Sequence, residues 1–132
     1  VQLANSDLLE EEMNAIALEI KDKPLLLYFK TGAATLKLTS EQRVKVEKIA
    51  RYLDKVDESK CYIEGHTDNT GNPENNMVLG QERADFARDY LIRNHIRASK
   101  VTAVSKGQNQ PIATNDSADG RAKNRRIVVT IN

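Results

Sequence analysis

Two residues of opposite charge stand out for the chemistry their positions allow. Asp68 closes the stretch Gly65-His66-Thr67-Asp68, just before the turn formers Asn69-Thr70-Gly71-Asn72-Pro73, and Arg83 lies in the helical segment that follows. Helical spacing puts Arg83 at i+4 from Leu79 and at i−3 and i−4 from Phe86 and Ala87, in the middle of an apolar stripe that must face a core. A guanidinium stays charged at accessible pH, so burying it unpaired costs several kcal/mol or more. Two readings follow. Arg83 pairs with an internal acid, or it lines a cleft and meets an anion from outside, for which its planar fork suits a carboxylate or phosphate. Asp68, just past the C-terminal end of a strand, sits where α/β folds commonly place ligands. An acid and an arginine side by side suit a zwitterion, with its ammonium on Asp68 and its carboxylate on Arg83. Paired only with each other they form a salt bridge, and the chain is then a protein-interaction or oligomerisation domain.

The remaining reactive side chains point away from catalysis. The two histidines, His66 and His95, are too far apart for a zinc site or a triad, so we expect no metal, no cofactor and no enzyme activity. His66 is read as a side chain that hydrogen-bonds within its loop and fixes its shape. The single Cys61 allows no internal disulfide and reads as a buried strand thiol. Asn124-Arg125-Arg126 is one basic cluster before a strand, with no aromatic platform for nucleic acid.

Positioning these residues requires a particular order of elements. Asp7-Leu8-Leu9-Glu10 has capping-box spacing, and Leu9, Met13, Ile16 and Ile20 recur at helical intervals, which predicts a helix over 7–21. Its apolar stripe is expected to pack on the domain, with an upstream segment or a second copy as the other candidate. Pro24 interrupts it, and Leu25-Leu26-Leu27-Tyr28-Phe29 reads as a buried strand. Thr39 with Gln42 opens a second helix whose stripe is Gln42, Val46, Ile49, Leu53 and Val56. Cys61-Tyr62-Ile63 reads as a strand ending at Gly65, and the third helix is predicted over 75–93. A strand at Val101 to Ser105, a long polar connection over 106–120 and a last strand over 127–131 complete the chain. The order predicts helices on one face of a small mixed sheet, with the last two strands in an antiparallel or edge pairing.

Bulk composition fits one domain: 132 residues, 39% hydrophobic and 30% charged. With 20 Lys+Arg against 19 Asp+Glu, the net charge of +1 provides no broad field for nucleic acid or anionic membrane. The longest apolar run, Pro24 to Phe29, is well short of the ~20 residues that span a bilayer, so no direct membrane insertion by this segment is expected.

Taken in order, Gly65-His66-Thr67-Asp68, Thr70-Gly71, Asn76, Leu79, Arg83-Ala84, Gly107, Pro111-Ile112, Asn115 and Gly120 to Ile127 resemble the OmpA-like C-terminal domain. That family is the peptidoglycan-binding module of outer-membrane protein A, of peptidoglycan-associated lipoprotein and of MotB. The resemblance covers about 25–131 and implies an α+β fold, a β-α-β-α-β-β two-layer sandwich over 25–132, here preceded by an N-terminal helical extension over 1–24. It also implies non-covalent binding of the peptidoglycan stem peptide through its diaminopimelate-type diamino acid, at the periplasmic face of the bacterial outer membrane. By the family pattern Asp68 takes the ammonium and Arg83 the carboxylate. Asn76 and Thr70 line the pocket, Arg125 supports it, and the loop around Gly32 borders it. A periplasmic protein partner or homo-oligomer is the alternative. Three departures bear on fine specificity: Gly80 where serine is usual, Lys30 for an acid after Phe29, and Gln108 near a place often held by glutamate.

Overall fold

The computed structural model describes residues 2–132. Four helices, α1 (Gln2–Asp22), α2 (Ser40–Lys55), α3 (Pro73–Arg93) and α4 (Ala118–Asn124), combine with four strands, β1 (Leu25–Tyr28), β2 (Cys61–His66), β3 (Val101–Gly107) and β4 (Arg126–Ile131). This is the α+β architecture expected, with three differences of detail.

First, α1 begins at Gln2, so Asp7 lies inside a helix instead of capping one. Residues 2–6 contain neither Gly nor Pro, and nothing in them stops the helix from extending. Met13, Ile16 and Ile20 bury the stripe that docks α1 on the domain. Glu12–Arg51 and Glu19–Lys48 ion pairs tie it to α2.

Second, β1 is buried on one face only. Leu25 and Leu27 point into the core, while Leu26 and Tyr28 are exposed. Its continuous apolar run hides this, because the uncovered face of the sheet happens to carry large side chains here.

Third, the last two strands do not pair with each other. The sheet order is β1-β4-β2-β3, with β4 antiparallel to both β1 and β2, and β2 parallel to β3. A parallel pair needs a crossover, and α3 supplies it between β2 and β3. The 108–125 segment, including α4, then returns the chain from the edge to the middle of the sheet. Ser117 caps α4 by accepting the Gly120 amide. Gly120, which reads as a loop residue, is needed because a Cβ there would meet the Thr114 carbonyl oxygen at 1.9 Å.

Two helix starts follow sequence chemistry closely. The Thr39 hydroxyl accepts from Gln42 N at 3.2 Å while Gln42 Oε1 accepts from Thr39 N at 2.9 Å, a complete capping box for α2. Asn72 caps α3, with Pro73 in the first turn. Behind them the core is built from Ile20, Leu27, Ile49, Leu53, Ile63, Ile127 and Val129. Cys61 belongs to it, and burial pushes its thiol up to about 12.

The register of α3 on the sheet depends on Gly65 and Gly80. A Cβ on Gly65 would lie 1.8 Å from the Gly80 carbonyl oxygen, and one on Gly80 would lie 2.2 Å from Ser105 Oγ and 2.9 Å from the Gly65 oxygen. Gly80, which the sequence suggests merely loosens a helix, lets backbone meet backbone. That close approach brings Arg83, one turn further along, under the ends of β1 and β2.

Candidate functional site

Asp68 follows β2 directly, in a segment pinned by the Thr67 N–H donating to the Gly107 carbonyl at 2.9 Å. Its side chain is 7% exposed. Oδ1 accepts from the Thr70 backbone N–H at 2.9 Å and Oδ2 from Arg125 Nη1 at 3.1 Å. Burial pushes the Asp68 pKa up, but the Thr70 amide and the Arg125 guanidinium outweigh it, holding the carboxyl below its ordinary 3.8. It therefore stays ionised at neutral pH, and its two oxygens retain further lone pairs for a cation. Arg125 is fixed in turn by donating from Nε to the Phe29 carbonyl at 2.8 Å.

Arg83 is fully buried. Its guanidinium donates from Nε to Ala33 O at 2.8 Å, from Nη1 to His66 O at 2.9 Å and from Nη2 to Lys30 O at 3.3 Å, and it lies 5.1 Å from the centroid of the Phe29 ring. Burial lowers its pKa to about 10, the Asp68 charge opposing that fall and the Arg125 charge adding to it. An Asp68–Arg83 salt bridge, one of the two readings above, is absent: Asp68 pairs with Arg125, while backbone carbonyls and an aromatic face serve Arg83. The reason is position. The loop after β1 folds over Arg83 and offers two carbonyls, while Arg125, at the entry to β4, reaches Asp68 from the other side. Five N–H groups with three acceptors leave Arg83 two donors without a protein partner among the described residues.

Gly32 stands in the loop that covers Arg83. It has φ +73°, in a turn where Ala33 N–H donates to Lys30 O at 3.0 Å. Asn76, in the first turns of α3, turns its Nδ2 toward Thr70 O at 3.1 Å, Asp68 O at 3.4 Å and Gln108 Oε1 at 2.8 Å. The structure thus brings Asp68, Thr70, Asn76 and Arg125 together in one cluster. Arg83 and the Gly32 loop lie alongside, the guanidinium covered by that loop. A hollow of about 480 Å³ lies elsewhere, between α1 and α2.

His66 does not act as the loop hydrogen bonder expected. It is the last residue of β2, nearly fully buried, with Nε2 3.3 Å from the Glu64 carboxylate and Nδ1 without a partner among the described residues. Burial lowers its pKa below 6.5, Arg126 and Lys106 acting in the same direction against Glu64. His95 lies beyond the far end of α3. Sequence reasoning missed the cover over Arg83, since backbone carbonyls leave no residue-type signal, and it missed the part played by Asn124. That side chain accepts from Ile112 and Ala113 N–H and donates to Ala113 O and Asn115 Oδ1, fastening the 111–115 segment beside the site. An asparagine just before a strand was the available signal.

A model of the OmpA family matches residues 28–125. The chain belongs to the OmpA family. Among its OmpA-family relatives, the peptidoglycan-binding protein ArfA of Mycobacterium tuberculosis is 34% identical over 87 residues, covering 66% of this chain and 27% of that protein. The peptidoglycan-associated lipoprotein of Mesorhizobium japonicum is 29% identical over 105 residues, covering 80% of this chain and 61% of that one. The chain therefore spans between about a quarter and three fifths of these relatives. Among solved structures, the peptidoglycan-associated lipoprotein of Burkholderia pseudomallei superposes with a TM-score of 0.75 at 27% identity, over 81% of this chain and 89% of that one. These relatives are named as peptidoglycan-binding or peptidoglycan-associated proteins, in agreement with the sequence reading of a module without catalysis. No described helix is long and apolar enough to cross a membrane.

Proposed function

We propose that this OmpA-family domain binds peptidoglycan without covalent chemistry, gripping the free, zwitterionic end of a diaminopimelate-type residue in the stem peptide. In this reading it anchors a larger protein to the wall from the periplasmic face of the outer membrane. The observation that carries it is Asp68: a nearly buried carboxylate, kept ionised by the Thr70 amide and Arg125, with acceptor capacity to spare beside the covered Arg83. An incoming ammonium adds to the Asp68 contacts. The ligand carboxylate takes the two unpartnered N–H groups of Arg83 once the Gly32 loop has shifted. The names of the relatives support the same polymer.

Two charge-assisted contacts at roughly 1.5–3 kcal/mol each must offset the entropy of fixing a small ligand, so affinity for one stem is modest. A polymer carrying many stems then supplies avidity. The test is retention on purified, protein-free sacculi, comparing the intact domain with Asp68→Asn and using circular dichroism to check the fold. Asn fills the same volume and still accepts from Thr70, but its amide nitrogen cannot accept from Arg125, so loss of retention by a folded variant reports the carboxylate together with its Arg125 pairing. Equal retention overturns the reading.

A further inference from the structure

The amides of Asn76 and Gln108 are oriented by their surroundings, and that orientation has a consequence for what the site selects. Asn76 Nδ2 faces two backbone carbonyls, Thr70 O at 3.1 Å and Asp68 O at 3.4 Å. Carbonyls only accept, so the amide nitrogen must lie on that side. Gln108, 2.8 Å from the same nitrogen, must then present its own oxygen. Its Nε2, with two N–H donors, is thereby turned away from Asn76 and finds no acceptor among the described residues. It is not sealed in the core, because the fully buried side-chain polar atom without a partner among the described residues is His66 Nδ1. Gln108 follows Gly107, whose φ of +52° ends β3, and the Gly107 carbonyl accepts from Thr67, so the loop carrying Gln108 is fastened to the segment carrying Asp68.

We infer that Gln108 is a specificity-determining residue: its outward Nε2 donates to an oxygen acceptor, carbonyl or carboxylate, on the part of the ligand just beyond the zwitterion. The inference rests on the diamino-acid reading above. Asn76 joins Gln108 to the Asp68–Thr70 segment, so in that reading Gln108 is the next polar side chain along the wall from the zwitterion. A neutral donor there accepts an acid or an amide. A carboxylate at the same position would still receive the Asn76 hydrogen bond through one oxygen, yet turn an anionic acceptor outward and repel a ligand acid. Gln108→Glu therefore changes the outward group while leaving the wall in place.

The experiment is isothermal titration of the intact domain, Gln108→Glu and Asp68→Asn with two probes. One is L-alanyl-γ-D-glutamyl-diaminopimelate with its linked-end carboxyl free, and the other is the same peptide with that carboxyl as a primary carboxamide. The intact domain is expected to bind both. Gln108→Glu is expected to lose about tenfold or more for the free acid and markedly less for the carboxamide, the size of one charge-assisted hydrogen bond. Asp68→Asn is expected to lose both. Equal affinities for Gln108→Glu and the intact domain overturn the inference while leaving the diamino-acid reading intact. An equal loss on both probes also overturns it, since Gln108 would then act only through Asn76. Failure of the intact domain to bind either probe, or full binding by Asp68→Asn, overturns the diamino-acid reading and this inference with it.

Discussion

Replacing Arg83 by methionine removes a buried charge and keeps a long unbranched side chain, so its effect can be worked from the contacts. Burial lowers the Arg83 pKa from 12.5 to about 10, a bias of about 3–4 kcal/mol against the charged form at about 1.4 kcal/mol per unit. Set against this are three hydrogen bonds from a charged donor, at about 1.5–3 kcal/mol each, and the stacking on Phe29, worth about 1 kcal/mol. The favourable side is larger. Loss of the guanidinium also leaves His66 O, at the end of β2, without its donor, whereas Lys30 O and Ala33 O lie in a loop that can rehydrate. Arg83→Met is therefore expected to cost about 2–4 kcal/mol, or a fall in Tm of roughly 10 °C for a chain of this size. Urea denaturation followed by circular dichroism measures it. Arg83→Lys, which keeps the charge and loses the fork, should fall between the two. A change below about 1 kcal/mol for Arg83→Met would refute the argument that Arg83 holds the loop and strand ends together. One practical result follows: lost wall binding in an Arg83 variant does not by itself identify a ligand contact, and Asp68→Asn is read beside a variant of Arg125, its ion-pair partner.

Two further outcomes are expected. Gly65→Ala places a methyl 1.8 Å from the Gly80 backbone oxygen, so α3 must move off the sheet; a loss of at least about 2 kcal/mol in the same denaturation assay is predicted, beyond the usual effect of a single substitution. His66 is held neutral by burial, with Arg126 and Lys106 adding to the effect and Glu64 opposing it. The unfolded chain therefore takes up a proton first as pH falls through about 6.5, and stability present above that value is lost below it, by up to about 1.4 kcal/mol per pH unit. His66→Gln should flatten the stability profile below about pH 6.5, and an unchanged slope would show that another group titrates there.

How much of this was readable in advance depends on where each signal resides. The α2 capping box, the Asn72-Pro73 entry to α3 and the inward Arg83 all follow from local spacing, and all appear in the fold. The Asp68 partner was not readable, because the choice between Arg83 and Arg125 depends on β4 being inserted between β1 and β2, a long-range pairing that no local pattern encodes. α4 was hidden by Gly120, a residue that reads as a turn but serves a close approach to Thr114. Gln108 appeared in the sequence only as a departure from a family habit, and its orientation emerges from the carbonyls that turn Asn76.

The central claim is that the site reads both charges of a zwitterion, and a competition assay tests it most directly. Binding of the intact domain to protein-free sacculi is challenged with soluble stem tripeptides ending either in diaminopimelate or in lysine, which keeps the ammonium and lacks the free-end carboxylate. The account predicts that the diaminopimelate peptide displaces the domain and that the lysine peptide needs at least about tenfold more, the value of one charge-assisted contact. Equal competition by the two peptides, or none by either, would contradict it.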